Sequence, residues 1–310
     1  MKLGYRHEAL VYSGDAGFVR ETVPFLRAAI EAGEPTLVVV DQPKVEALRD
    51  ALDGERDAVA FADMAEVGHN PARLIPAWRD FVAAHPNRAV RGIGEPIGPW
   101  RGPDELVECQ QHESLLNLAL ADAAALWLLC PYDASVLPAS VIDEAFRSHP
   151  FVMERSSRIE SPWYAPVKDM SLFAASLSEP PADALDLAFR VGPLDEVRRV
   201  VAREAERGGL SDDRTRDLVV AVNEVASNSL LHGGGEGRLR VWSEPDRIVC
   251  EIRDPGIVTD PLIGRVRPSS DRLEGRGVWL ANQLCDLVQL RVLPSGTVVR
   301  MHMVRGIARP

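Results

Sequence analysis

The sequence predicts two domains in series, a mostly parallel α/β sheet with helices on both faces followed by an α+β sandwich. Three observations predict this. The chain has 310 residues, more than one ordinary core organises. Its first 150 residues alternate short apolar runs with amphipathic stretches, and from Leu185 onward the order of elements changes. Between the two, Pro162, Pro166, Pro180 and Pro181 with several serines break any long periodic pattern. The expected division is therefore a first domain over 1–150, a linker over 151–184 and a second domain over 185–310.

In the first domain the apolar runs Ala9–Tyr12, Leu37–Val40, Val59–Phe61, Val90–Ile93 and Leu126–Leu129 predict strands. Runs without alternation belong to strands buried on both faces, as in parallel sheets. Amphipathic stretches near 16–32, 43–52, 71–84 and 104–121 predict the intervening helices. Ligands of such sheets sit at the carboxyl ends of strands. Those ends carry Ser13-Gly14-Asp15, Asp41, Asp63, Gly94-Glu95-Pro96 and Cys130-Pro131-Tyr132-Asp133. The second domain reads as a strand at 185–191, helices at 193–207 and 212–231, and strands at 239–242 and 248–253. An irregular stretch over 255–275, a helix at 277–285 and strands at 287–293 and 298–304 complete it.

Composition narrows the function. Hydrophobic residues at 46% and charged residues at 26% are those of a folded globular chain. No apolar run approaches the ~20 residues of a membrane helix, and MKLGYRHEAL lacks the apolar stretch of a signal peptide. Four cysteines at 109, 130, 250 and 285 form no CxxC pair, so a reducing cytoplasm is the expected home and no membrane the expected partner. The net charge is −11. Residues 1–160 hold 15 Lys+Arg against 25 Asp+Glu, and residues 161–310 hold 20 against 21. An acidic first half argues against direct nucleic-acid binding. Only three residues are lysine, and no G-x-x-x-x-G-K-[ST] occurs, which excludes a working P-loop.

The helix expected at 212–231 is the most informative segment. Leu218, Val222, Val225 and Ala226 share one face, and Glu224, Asn228 and His232 run beside it at i, i+4, i+8. An amide oxygen at Asn228 suits Mg²⁺, which takes few protein ligands plus phosphate oxygens. A carboxylate one turn earlier, at Glu224, suits deprotonation of a nucleophile attacking a γ-phosphate. Taken alone, the same stripe reads equally as an exposed polar face. Further along, Asp254-Pro255-Gly256 ends an apolar strand with a carboxylate and a glycine that permits close approach. Gly275-Arg276-Gly277 opens the next helix, where free N–H groups favour phosphate. Gly296-Thr297 begins the last strand.

In this order and spacing the four elements resemble the GHKL ATPase (Bergerat) fold, and within it the bacterial anti-sigma-factor serine/threonine kinases. Asn223–Gly233 looks like the family's N box, Asp254–Gly256 like G1, Gly275–Gly277 like G2 and Gly296-Thr297 like the closing motif. The resemblance implies ATP and Mg as ligands, Glu224 as catalytic base, Asn228 as Mg²⁺ ligand and Asp254 as acceptor for the adenine amino group. Gly256 belongs to the same site, Gly275, Arg276 and Gly277 shape the lid, and Thr297 supports the adenine end. His232 reads as a structural cap. Two departures stand out: Val258 occupies the place of a second G1 glycine, and the lid over 257–274 is poor in glycine. The implied function is an anti-sigma regulator that sequesters a sigma factor and phosphorylates a STAS-type antagonist, working as a homodimer. A non-catalytic ATP-binding module and a sensor histidine kinase are the alternatives. The second needs a phospho-acceptor histidine on a helical hairpin just upstream of the ATPase domain, and there the linker offers only His149 near its start, before Pro150.

The phrases His7–Tyr12, Gly33–Pro35, Arg91–Pro96, Cys109–Glu113 and Cys130–Asp133 are similar to a MEDS sensory domain, which resembles a RecA-like fold without its phosphate loop. The resemblance implies a small-molecule or partner signal, with His7, Glu95, Cys109, His112, Glu113, Cys130 and Asp133 as candidate pocket residues. Cys109 and His112 at i, i+3 could share a metal with His7, Glu95 or Cys130. The other reading is a half-buried helix whose polar groups pair with strand ends. Trp78, Trp100 and Trp127 read as core or pocket wall.

Overall fold

The computed structural model describes residues 4–123, 125–154, 157–268 and 276–306. They fall into two compact units, with the boundary between Val167 and Lys168.

The first unit runs β1 (Arg6–Tyr12), α1 (Gly14–Glu31), β2 (Thr36–Val40), α2 (Gln42–Leu52), β3 (Ala60–Asp63), α3 (Met64–Val67), α4 (Leu74–Ala83), β4 (Val90–Gly94), α5 (Pro103–Ala119), β5 (Leu126–Asp133), α6 (Ala139–Ser148), β6 (Phe151–Glu154) and β7 (Ser157–Glu160). The strands form one seven-stranded sheet in the order β3-β2-β4-β5-β1-β6-β7. Every pairing is parallel except β6 with β7. Consecutive residues of β1, β2 and β5 are buried, so both faces of the sheet are covered, as the unbroken apolar runs require. Leu10, Phe18, Leu26, Val38, Leu48 and Ile93 form the centre of one core. Local chemistry fixes the helix starts: Asp41 accepts from Lys44 N at α2, and Pro103 opens α5 behind Gly102. The glycines of β4 answer to Trp78. A Cβ on Gly92 or Gly94 would come within 2.7 or 2.9 Å of its ring, which is why this tryptophan is core.

One expectation is corrected here. The linker expected from 151 does not begin there: β6 and β7 extend the sheet, β6 pairing with β1 and β7 with β6. Short strands between Pro150 and Pro162 carry no period long enough to read. Proline at either side is compatible with a terminal hairpin, because its missing N–H is harmless at a strand end.

The second unit runs β8 (Leu185–Arg190), α7 (Asp195–Arg207), α8 (Asp212–His232), β9 (Glu236–Ser243), β10 (Arg247–Asp254), α9 (Arg276–Leu284), β11 (Leu287–Leu293) and β12 (Gly296–Val304). Its five strands pair antiparallel in the order β11-β12-β10-β9-β8. Helix α8 starts at Ser211, whose side chain accepts from Arg214 N, with Asp212 and Asp213 in the first turn. Its stripe of Leu218, Val222, Val225 and Ala226 is buried, and it packs on β9, β10 and β12. Arg214 is buried and paired with Asp286, which also accepts from Val304 N at 2.6 Å.

A second buried ion pair joins β10 to β12: Arg300 places two nitrogens on Glu251 Oε2 at 3.0 and 2.6 Å, with both residues almost fully buried. Removing one member strands a desolvated charge. Glu251→Ala is therefore expected to cost about 3–5 kcal/mol in the unfolding of the second unit, measured by chemical denaturation of the full chain.

Candidate functional site

In the second unit a cavity of about 370 Å³ lies between the C-terminal half of α8, the end of β10 and the start of β12. Asn228, Asp254, Gly256 and Thr297 line it, so residues far apart in the chain meet at one place. Val225, Ile263, Val278, Leu290 and Val299 give it an apolar wall, the kind of slot that takes a flat heterocycle.

Asp254 is the most firmly held polar group of the site. Its Oδ2 accepts from Ser229 Oγ at 2.7 Å and its Oδ1 from Gly256 N at 2.8 Å. Each carboxylate oxygen keeps a further lone pair, so the group stays competent to accept from a ligand. Thr297 Oγ1 donates to Gly256 O at 2.8 Å, which ties the start of β12 to the same turn. The turn is tight on every side. A Cβ on Gly256 would meet Gly233 Cα at 2.7 Å, and one on Gly233 would meet Asp254 Oδ1 at 2.5 Å. One on Gly296, at φ +127°, would meet Asp254 O at 1.9 Å.

Asn228 is backed by Gly277, where a Cβ would stand 2.5 Å from its Nδ2. The first turn of α9 thus lies directly against the amide. Arg276 is exposed at the start of α9. Gly275 and the part of the expected lid over 269–274 lie outside the described residues. Glu224 sits one turn before Asn228 on α8, half-buried and outside the cavity lining. His232 is the exposed last residue of α8 at the cavity rim; the cap itself is Gly233, whose N–H bonds Ser229 O. Val258, in place of a glycine, lines the cavity.

Sequence reasoning missed Ser229, Gly233 and Gly264. Ser229 falls one residue past Asn228, and its period on the buried face was the available signal. Gly264, at φ +73°, approaches Val278 so closely that a Cβ would lie 2.6 Å from it, and its carbonyl accepts from Asn282 Nδ2 at 3.0 Å. This anchors the described part of the lid, up to residue 268, on α9.

In the first unit the sequence candidates divide. A cavity of about 360 Å³ at the carboxyl ends of β1, β2, β4 and β5 is lined by Asp15, Asp41, Lys44, Glu95, Trp100 and Asp133 among others. Glu95 accepts from Lys44 Nζ and Tyr12 OH, both at 2.6 Å. Burial pushes its carboxyl up to about 7, against the opposing pull of Lys44 and Tyr12. Burial acts the same way on Asp133, but hydrogen bonds from Ser135 and Gly14 N outweigh it and hold that carboxyl low. His7, Glu113 and Cys130 do not line this cavity; they meet elsewhere, with His149, in a fully buried cluster. Burial and the adjacent His149 ring push the His7 imidazole down to about 4. Cys109 and His112 join neither group: Cys109 Sγ donates to Pro96 O at 3.3 Å, and burial raises its thiol to about 12. His149 is buried, with Nδ1 on Ala145 O at 2.9 Å, which is no place for a phospho-acceptor. All four cysteines are free and buried. No helix among the described residues is long and apolar enough to cross a membrane.

Comparison with known families agrees with this geometry. Residues 6–150 match the model of the MEDS family, the methanogen/methylotroph, DcmR sensory domain. Residues 187–303 match the model of the histidine kinase-like ATPase domain. Among curated proteins there is no match to the chain. An ATPase domain of this kind implies nucleotide binding. The chain is a fusion of a MEDS domain at its N-terminus with a histidine kinase-like ATPase domain of the GHKL type at its C-terminus.

Proposed function

We propose that this protein is an ATP-dependent signalling switch of the cytoplasm. Its C-terminal domain binds Mg-ATP, sequesters a sigma factor and phosphorylates a serine or threonine of a STAS-type antagonist. Its N-terminal domain sets that activity by binding a small molecule, for which the cavity around Lys44, Glu95 and Trp100 is the natural place. By resemblance to anti-sigma kinases the working form is a homodimer. What supports the reading above all is the meeting of Asn228, Asp254, Gly256 and Thr297 around one apolar-walled cavity.

The residues fit the ligands this reading requires. Asp254, held by Ser229 and Gly256, accepts from an exocyclic amine and so favours adenine. Asn228 offers a single carboxamide oxygen, the donor expected for an ion that keeps its waters and shares phosphate oxygens. Bound Mg²⁺ supplies charge neutralisation across the phosphates. Glu224, one turn away, takes the proton of the attacking hydroxyl. Gly277 keeps the N-terminal turn of α9 against Asn228 and leaves its backbone open to anionic oxygens.

Gly277→Ala tests the last point. The atom that must give way is the Asn228 amide, so the cost falls on the site and not on the core. The expected result is weakened Mg-nucleotide binding by calorimetry with an unchanged melting temperature. The function itself is tested by incubating the full chain with γ-labelled ATP and candidate antagonist proteins. Acid-stable label on an antagonist serine or threonine is expected. Bound ATP with no transfer would favour a non-catalytic module, and acid-labile label on the chain itself would favour a histidine kinase.

A further inference from the structure

We propose that His7, Glu113, Cys130 and His149 bind a divalent transition metal, zinc foremost, at a closed site inside the N-terminal unit. Their donor atoms, one from each residue, all lie within 4.8 Å of one another. His7 Nε2 stands 3.2 Å from Glu113 Oε2 and 3.3 Å from Cys130 Sγ, and His149 Nε2 stands 3.2 Å from the same carboxylate oxygen. Tetrahedral zinc with these donor types has ligand–ligand edges of roughly 3.3–3.6 Å, so three contacts already lie close to that scale.

Hydrogen bonds outside the cluster decide what faces inward. Asn117 Nδ2 donates to Ser148 O at 2.7 Å, which fixes the amide and turns Oδ1 to His7 Nδ1 at 3.1 Å. His7 Nδ1 therefore carries hydrogen. His149 Nδ1 lies 2.9 Å from Ala145 O, an acceptor only, and carries hydrogen too. In both rings this leaves Nε2 as the atom that faces the Glu113 carboxylate. This is the arrangement metal-ligating histidines adopt, their other nitrogen donating to a carbonyl. Among the described residues His149 Nε2 and Glu113 Oε1 have no hydrogen-bond partner. Buried polar atoms in that state are costly.

Charge and topology agree. One thiolate and one carboxylate balance a divalent ion, leaving a neutral group in a site where all four residues are buried. Two imidazoles, a thiolate and a carboxylate suit zinc better than magnesium or calcium. Four protein ligands with no open position make the ion structural. It would tie α5 and the end of α6 to the adjacent sheet strands β1 and β5.

Full-length protein, expressed with zinc and purified without chelator, is expected to carry one zinc per chain by elemental analysis. Chelator-stripped protein is expected to take up one Co²⁺ and to develop tetrahedral visible bands with a near-ultraviolet thiolate band. Cys130→Ser should lose the near-ultraviolet band and His149→Ala the bound ion, while Cys109→Ser keeps both. Failure of stripped wild-type protein to bind Co²⁺ or Zn²⁺ stoichiometrically, or uptake without a thiolate band, would overturn the assignment. So would full metal content in both Cys130→Ser and His149→Ala. The wild-type cobalt spectrum decides the matter even where a variant fails to fold.

Discussion

Replacing Glu224 by alanine is expected to abolish phosphoryl transfer and to leave nucleotide affinity little changed. Glu224 is half-buried on α8, its side chain makes no hydrogen bond or ion pair among the described residues, and it stands outside the cavity lining. Its removal therefore takes nothing from the core, and alanine is the better helix former. Its proposed part is confined to the proton of the attacking hydroxyl, a contribution of about 10²–10⁴ in rate. Single-turnover transfer from labelled ATP to the antagonist measures the first effect, and calorimetry measures the second. Asn228→Ala provides the contrast: its amide lines the cavity, so both binding and transfer should weaken. Equal transfer by wild type and Glu224→Ala would remove Glu224 from the mechanism.

Asp254→Ala is expected to produce the largest loss of binding. Here the side chain does two things at once. It accepts from Ser229 Oγ and Gly256 N, which shapes the turn after β10, and it retains acceptor capacity toward the cavity it lines. A hydrogen bond to a charged group is worth about 1.5–3 kcal/mol, which is roughly a ten- to hundredfold change in affinity. Asp254→Asn keeps the shape but puts an NH₂ group where an acceptor is needed, so it should share the loss of adenine affinity while melting nearer to wild type. Ser229→Ala removes only the outer support of the carboxylate and should cost less than either. Affinities equal to wild type in both Asp254 variants would mean that the base is read by some other group.

The parts of this molecule that were legible in the sequence are those written in local order. Helix α8 follows from Ser211, the acidic first turn and a regular apolar stripe, and its polar stripe puts Glu224 and Asn228 one turn apart. Asp254 followed by Pro255 and Gly256 marks the end of β10 because a strand cannot continue through that turn. What could not be read is convergence between distant segments. Nothing local says that Gly233 must be bare because the Asp254 carboxylate lies where its Cβ would be. The same limit governs the first unit. On α5, Cys109, His112 and Glu113 share a broad helix face, and spacing alone suggested pairing the first two. The tertiary register instead aims Glu113 at His7 and Cys130, while Cys109 turns to Pro96 O. His149, at the end of α6, enters that cluster from a segment that carried no motif. Hairpin β6–β7 was hidden for a related reason, since strands of 4 residues show too little periodicity to separate them from a linker.

The cavity between α8, β10 and β12 is expected to bind an adenine nucleotide through Asp254 and its magnesium through Asn228. Calorimetric titration of the full chain with Mg-ATP and, in parallel, Mg-GTP tests this most directly. The prediction is a saturable, one-site heat with Mg-ATP that shrinks when Mg²⁺ is withheld, and far weaker binding of Mg-GTP, whose base presents a carbonyl where adenine presents an amine. No saturable heat at millimolar Mg-ATP, or equal binding of the two nucleotides, would contradict it.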